Sequence, residues 1–136
     1  SYKLLVKSYK LENNVLFLGQ ISQRDLPLYF SISDMFVRPS RSEGLGSSFL
    51  EAMSAGIPVI GTPVGGIVDF LKNGETGFLA EPENPKSVAL KMHEILDNPE
   101  QTEKIVKNAR ELIQRNYSWE IVAKMMRNIF DKLINL

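Results

Sequence analysis

Asp34-Met35-Phe36-Val37-Arg38-Pro39-Ser40-Arg41-Ser42-Glu43-Gly44-Leu45-Gly46 leads into Ser47-Ser48-Phe49-Leu50-Glu51-Ala52-Met53-Ser54-Ala55 and then Gly56-Ile57-Pro58-Val59-Ile60. Met35 to Val37 is a short uncharged run stopped by Pro39, as a buried strand would be. Ser47 to Ala55 reads as a helix closed by Gly56, because glycine accepts the left-handed backbone that ends helices. Ile57 to Ile60 is a second short apolar strand, so the stretch predicts one strand, helix and strand unit.

The same alternation extends in both directions. Upstream, Tyr2, Leu5, Val6 and Tyr9 recur at helical spacing until Glu12-Asn13-Asn14 ends the pattern. Val15 to Leu18 reads as a buried strand ending at Gly19, and Asp25 to Ser33 as a helix behind the cap-like Ser22, with Asp25 at the capping-box position. Downstream, a helix is expected from Gly66 through Leu71 to Asn73-Gly74, followed by a strand at Gly77 to Ala80. Three helices then follow: Lys86 to Leu96, Pro99 to Arg115, and Trp119 to Leu133 behind Ser118 as N-cap. Ile121, Val122, Met125, Ile129, Phe130 and Leu133 give the last one an apolar face. Short uncharged strands alternating with helices need crossover connections, which predicts an α/β fold with a doubly wound parallel sheet.

Composition narrows the possible functions. The chain has 136 residues and no net charge, with Lys+Arg 16 against Asp+Glu 16. Residues 1 to 80 carry seven charges of each sign and residues 81 to 136 carry nine of each, so no basic arm for nucleic acid stands out. Hydrophobic residues make up 43%, enough for a packed core, while the longest apolar runs are far too short to span a bilayer. The absence of cysteine removes disulfides, thiolate metal sites and cysteine nucleophiles, and fits a reducing compartment. His93, the single histidine, cannot form a multi-histidine metal site and reads as a surface or boundary residue of an amphipathic helix.

Eight of the nine glycines lie between Gly44 and Gly77, around the C-terminal ends of the predicted strands, where open α/β sheets bind ligands. Gly56, Gly74 and Gly77 read as turn and helix-end residues. Gly44, Gly46, Gly65 and Gly66 precede predicted helix starts, where a missing side chain would let a phosphate reach free backbone amides. A dinucleotide fingerprint fits poorly, since Phe49 stands at its third glycine position, and no Walker-type phosphate loop exists. A receiver domain would need an aspartate at a strand end, where this chain has Gly19, Arg38 and Gly61. The remaining feature is a pair of carboxylates, Glu43 and Glu51, flanking Gly44-Leu45-Gly46-Ser47-Ser48-Phe49-Leu50; two glutamates at this spacing read on their own as solvated surface charges.

Their context is more specific. Pro39-Ser40, Glu43 to Glu51 in an E-x7-E arrangement, Ala55-Gly56-x-Pro58-Val59 and Val64-Gly65-Gly66 occur in the order and spacing of one family. Asn14-Val15-x-Phe17-x-Gly19, Asn73-Gly74-x-x-Gly77 and Tyr117-Ser118-Trp119-Glu120 carry the match across almost the whole chain. The sequence resembles the donor-binding domain of retaining GT-B glycosyltransferases of family GT4. It departs from the family pattern at Leu45, where an aromatic is usual, at Ser47, where an aliphatic is usual, and at Asp69, where glutamate is preferred.

The resemblance implies a Rossmann-like domain over residues 1–136, most of the nucleotide-sugar donor-binding half of a two-domain enzyme, with the acceptor-binding N-terminal domain absent. It implies Glu51 at the ribose hydroxyls and Glu43 beside the transferred sugar, without assigning a covalent nucleophile. Gly44 and the backbone amides of Leu45, Gly46 and Ser47 would meet the phosphate or sugar, and Gln20-Ile21 would form part of the base-contacting edge. No metal and no cofactor are implied. Leaving-group charge would be met by basic residues upstream of this chain; Arg38 and Arg41, the nearest ones present, read as loop charges. Expected partners are a nucleotide-diphosphate sugar, the N-terminal domain, and an acceptor sugar or lipid-linked sugar, but no nucleic acid. The expected location is cytoplasmic, with peripheral membrane contact through the N-terminal domain left open. Three rival functions remain: a non-catalytic nucleotide-sugar-binding module working with a separate chain, a nucleotide-sugar epimerase, and a phosphorylase.

Overall fold

A computed structural model describes residues 1–134. Helix α1 spans Tyr2–Ser8 and α2 spans Leu26–Ser31. Strand β1 is Phe36–Val37, α3 is Ser47–Ala55, β2 is Val59–Gly61, and a single 3-10 turn covers Gly65–Asp69. Strand β3 is Phe78–Leu79, and α4 (Pro85–Asp97), α5 (Pro99–Asn116) and α6 (Trp119–Ile134) follow. The three strands form one parallel sheet in the order β1-β2-β3, with Phe36 opposite Val59 and Ile60 opposite Phe78.

Alternation along these short strands explains how the sheet is covered on both faces. Phe36, Val59 and Leu79 contribute to one apolar cluster with Phe49, Ala52 and Met53 of α3 and with Ala109 and Ile113 of α5. Val37, Ile60 and Phe78 face the other cluster, with Ile95 of α4 and Ile105 of α5. Both faces are therefore apolar, as parallel strands require, and the α/β architecture is the one the alternation predicts. Aromatic contacts run through the larger cluster from Phe30 to Phe36, Phe49, Phe70 and Tyr117, edge-on except for the tilted Phe49–Phe70 pair, with ring centroids 5.3–6.4 Å apart.

The caps are local and sequence-encoded. The Asn84 side chain accepts a hydrogen bond from the Ser87 amide at the start of α4, and Ser118 Oγ accepts one from the Ile121 amide at the start of α6. Ser22 Oγ donates to Asp25 and accepts from its amide, but the helix behind this pair is shorter than expected and begins at Leu26.

Strand β2 starts two residues later than expected, at Val59, and larger differences from the sequence expectation occur elsewhere. Val15 to Leu18 forms no strand and its side chains are exposed; a parallel strand exists only with a hydrogen-bonded neighbour, and the described sheet offers it none. The helix expected from Gly66 to Leu71 is the 3-10 turn, because paired glycines and a five-residue length do not sustain an α-helix. Helix α6 has the expected apolar face, yet it buries no residue among those described, and Trp119 is 84% exposed.

Candidate functional site

Because the strands are parallel and adjacent, the loops leaving β1, β2 and β3 meet at one edge of the sheet. Direct bonds join them. The buried Thr62 hydroxyl, just beyond β2, donates to the Ser40 carbonyl in the β1 loop. The Gly66 amide donates to the Gly44 carbonyl at 2.9 Å. Arg41 Nε lies 2.8 Å from Glu83 Oε1 in the loop after β3, where Glu83 adopts a left-handed φ of 57°.

Glycine is required where the first two loops touch. A Cβ on Gly65, whose φ is +56°, would overlap the Glu43 carbonyl oxygen, and one on Gly66 would stand 2.6 Å from the Gly44 carbonyl oxygen. The bare backbones of Gly65 and Gly66 thus pack against the Glu43 loop, a reason for glycine in addition to the ligand approach expected there. Gly44 itself has open space where a side chain would project, so a close approach remains available there.

The Glu43 side chain is only 10% exposed and is held from two directions. Arg38 Nε lies 2.8 Å from Oε1, and the Ser40 hydroxyl donates to the same oxygen at 2.6 Å. Arg38 also donates through Nη1 to the Ser48 hydroxyl at 2.8 Å, tying the end of β1 to the first turn of α3. Oε2 of Glu43 takes none of the hydrogen bonds among the described residues.

Gly46 caps α3 with φ of +72°, turning the chain so that the helix N-terminus opens at this edge. The amides of Leu45, Gly46 and Ser47 donate to no described partner, and Leu45 and Ser47 are exposed. Four residues on from Ser47, Glu51 occupies the same helix face, opposite the buried Phe49, Ala52 and Met53. Helical side chains lean toward the N-terminus, which inclines Glu51 toward this open turn. Its exposed carboxylate makes no hydrogen bond or ion pair among the described residues. One glutamate is thus fixed and nearly buried, and the other is free.

Gln20 is exposed and Ile21 half-buried, and no described hydrogen bond or ion pair connects either to the Glu43 loop. His93 is exposed on α4, as its helix pattern suggests. Among the described residues there is no cluster of three or more potential metal ligands and no helix long and apolar enough to cross a membrane. The contacts of Arg38, Ser40, Ser48 and Thr62 around the candidate site are not legible in the sequence, since each depends on a neighbour brought close by the packing of the loops. The one available signal was Arg38 at a strand end, five residues before Glu43.

The model of the family described as "Glycosyl transferases group 1" matches residues 1–112. The chain is 33% identical over 126 residues to N-acetyl-alpha-D-glucosaminyl L-malate synthase of Bacillus anthracis, covering 93% of this chain and 32% of the relative. Among solved structures, sucrose-phosphate synthase from Thermosynechococcus elongatus superposes with a TM-score of 0.91 at 34% identity, over 98% of this chain and 34% of that one. Anabaena Alr3699/HepE in complex with UDP-glucose superposes with a TM-score of 0.87 at 26% identity, over 99% of this chain and 36% of that one. The chain spans 31–33% of the length of three of the curated relatives it matches.

Proposed function

Since the chain belongs to the glycosyl transferases group 1 family, with the fold of GT-B glycosyltransferases, we propose that it is the donor-binding part of a GT4-type transferase. That enzyme moves a sugar from a nucleotide diphosphate to an acceptor with retention of anomeric configuration. The observation that carries this reading is the division of labour between the two carboxylates: Glu43 immobilised by Arg38 and Ser40, Glu51 unpaired on the helix that opens beside it. The solved relative with bound UDP-glucose adds support for a nucleotide-sugar donor.

In this reading Glu51 accepts hydrogen bonds from the two ribose hydroxyls, a geometry suited to a carboxylate on a rigid helix. The unpartnered amides of Leu45, Gly46 and Ser47, at the positive end of α3, face the diphosphate or the sugar. Glu43 accepts from sugar hydroxyls through Oε2 and stabilises the positive charge that grows on the anomeric carbon as the sugar–phosphate bond loosens. Its role is electrostatic. Gln20-Ile21 lines the base, and basic residues outside this chain neutralise the leaving diphosphate. The acceptor is a sugar or lipid-linked sugar, the setting is cytoplasmic polysaccharide assembly, and the acceptor-binding domain belongs to the same polypeptide.

The test is product analysis with the full-length protein and a panel of nucleotide sugars. The account predicts release of nucleoside diphosphate together with a product whose anomeric proton retains the donor configuration by NMR. An isomerised donor would point to an epimerase, sugar phosphate to a phosphorylase, and binding without turnover to a non-catalytic module.

A further inference from the structure

We infer that Arg38 is a positioning residue, which acts on the transferred sugar only through Glu43. The inference rests on the reading of Glu43 given above. Arg38 leaves the end of β1 and spreads its guanidinium between two acceptors, Glu43 Oε1 by Nε and Ser48 Oγ by Nη1, both at 2.8 Å. The planar fork fixes the angle between those bonds, so it sets where the Glu43 carboxylate stands relative to the first turn of α3. Ser40 completes the hold on Oε1, which leaves Oε2 as the oxygen available to substrate.

Arg38 is half-exposed while Glu43 is nearly buried. Solvent screens the cation, and the pair's worth lies in geometry more than in stability. A carboxylate free to rotate would still bind a donor, but it would face the anomeric carbon only part of the time. The contribution therefore belongs to turnover rather than to donor affinity.

The full-length protein is assayed for nucleoside diphosphate release from the same panel of nucleotide sugars in the presence of sugar acceptors, as wild type, Arg38→Met, Glu43→Gln and the double variant. Arg38→Met is expected to lower kcat by about a hundredfold while KM for the donor stays within about threefold. In the Glu43→Gln background the same substitution is expected to cost less than about threefold, because the two act as one unit. Arg38→Lys, which keeps the charge but not the fork, is expected to fall between wild type and Arg38→Met, and it carries the test if Arg38→Met fails to fold. Millimolar guanidinium ion should restore part of the activity of Arg38→Met. Equal losses in the two backgrounds, or a loss confined to KM, would overturn the role of Arg38. No nucleoside diphosphate release by the wild type from any sugar of the panel, or undiminished release by Glu43→Gln, would instead overturn the reading of the site itself.

Discussion

At the scale of single residues, Glu43 is positioned by contacts on both its backbone and its side chain. Its carbonyl oxygen lies against Gly65 and its carboxylate is held by Arg38 and Ser40. Replacing Gly65 with alanine forces a left-handed φ on an L-residue and drives a methyl into that carbonyl. We expect a loss of at least about 2 kcal/mol in chemical denaturation. Because the strain is relieved by moving the Glu43 loop, turnover of the full-length protein should fall with it; wild-type stability would show that the loops are not in contact in solution. The two glutamates stand out in the sequence only through the Pro39-Ser40, Ala55-Gly56-x-Pro58-Val59 and Val64-Gly65-Gly66 segments around them, since their spacing alone reads as a pair of surface charges. The hydrogen bonds that differentiate them are not legible there. Thr62 and Ser40, for example, stand 22 residues apart and meet only because β1 and β2 are neighbours.

Among the elements, α3 links the core to the site. Phe49 is fully buried between Phe36 and Phe70, and the same helix presents Ser47 and Glu51 on its opposite face. Phe49→Ala is expected to cost about 3–5 kcal/mol by urea denaturation, a large part of the total stability of a domain this size. Asn84→Ala, which removes the side-chain acceptor at the start of α4, should cost only about 1 kcal/mol in the same measurement. Helices with strong local signals, Pro85 and Pro99 at first turns and Gly56 after α3, were placed within a residue or two of their observed ends. Val15 to Leu18 was not, because apolar composition describes a segment able to pair, while pairing depends on which strand lies alongside.

For the molecule as a whole, polar contacts join the loops where the three parallel strands end. The sheet is covered on both faces, by α3 and α5 on one and by α4 and α5 on the other, so the loops at its edge rest on a rigid base. The account makes that edge a donor site, in which Glu51 holds the ribose and Glu43 attends the sugar. Calorimetric titration of a set of nucleoside diphosphates into the full-length protein and into its Glu51→Ala variant addresses this directly, because each contains the ribose and lacks the sugar. The account predicts binding by the wild type and affinity weaker by at least about tenfold in Glu51→Ala, the scale of lost hydrogen bonds to a charged group. Equal affinity in the two proteins would contradict it.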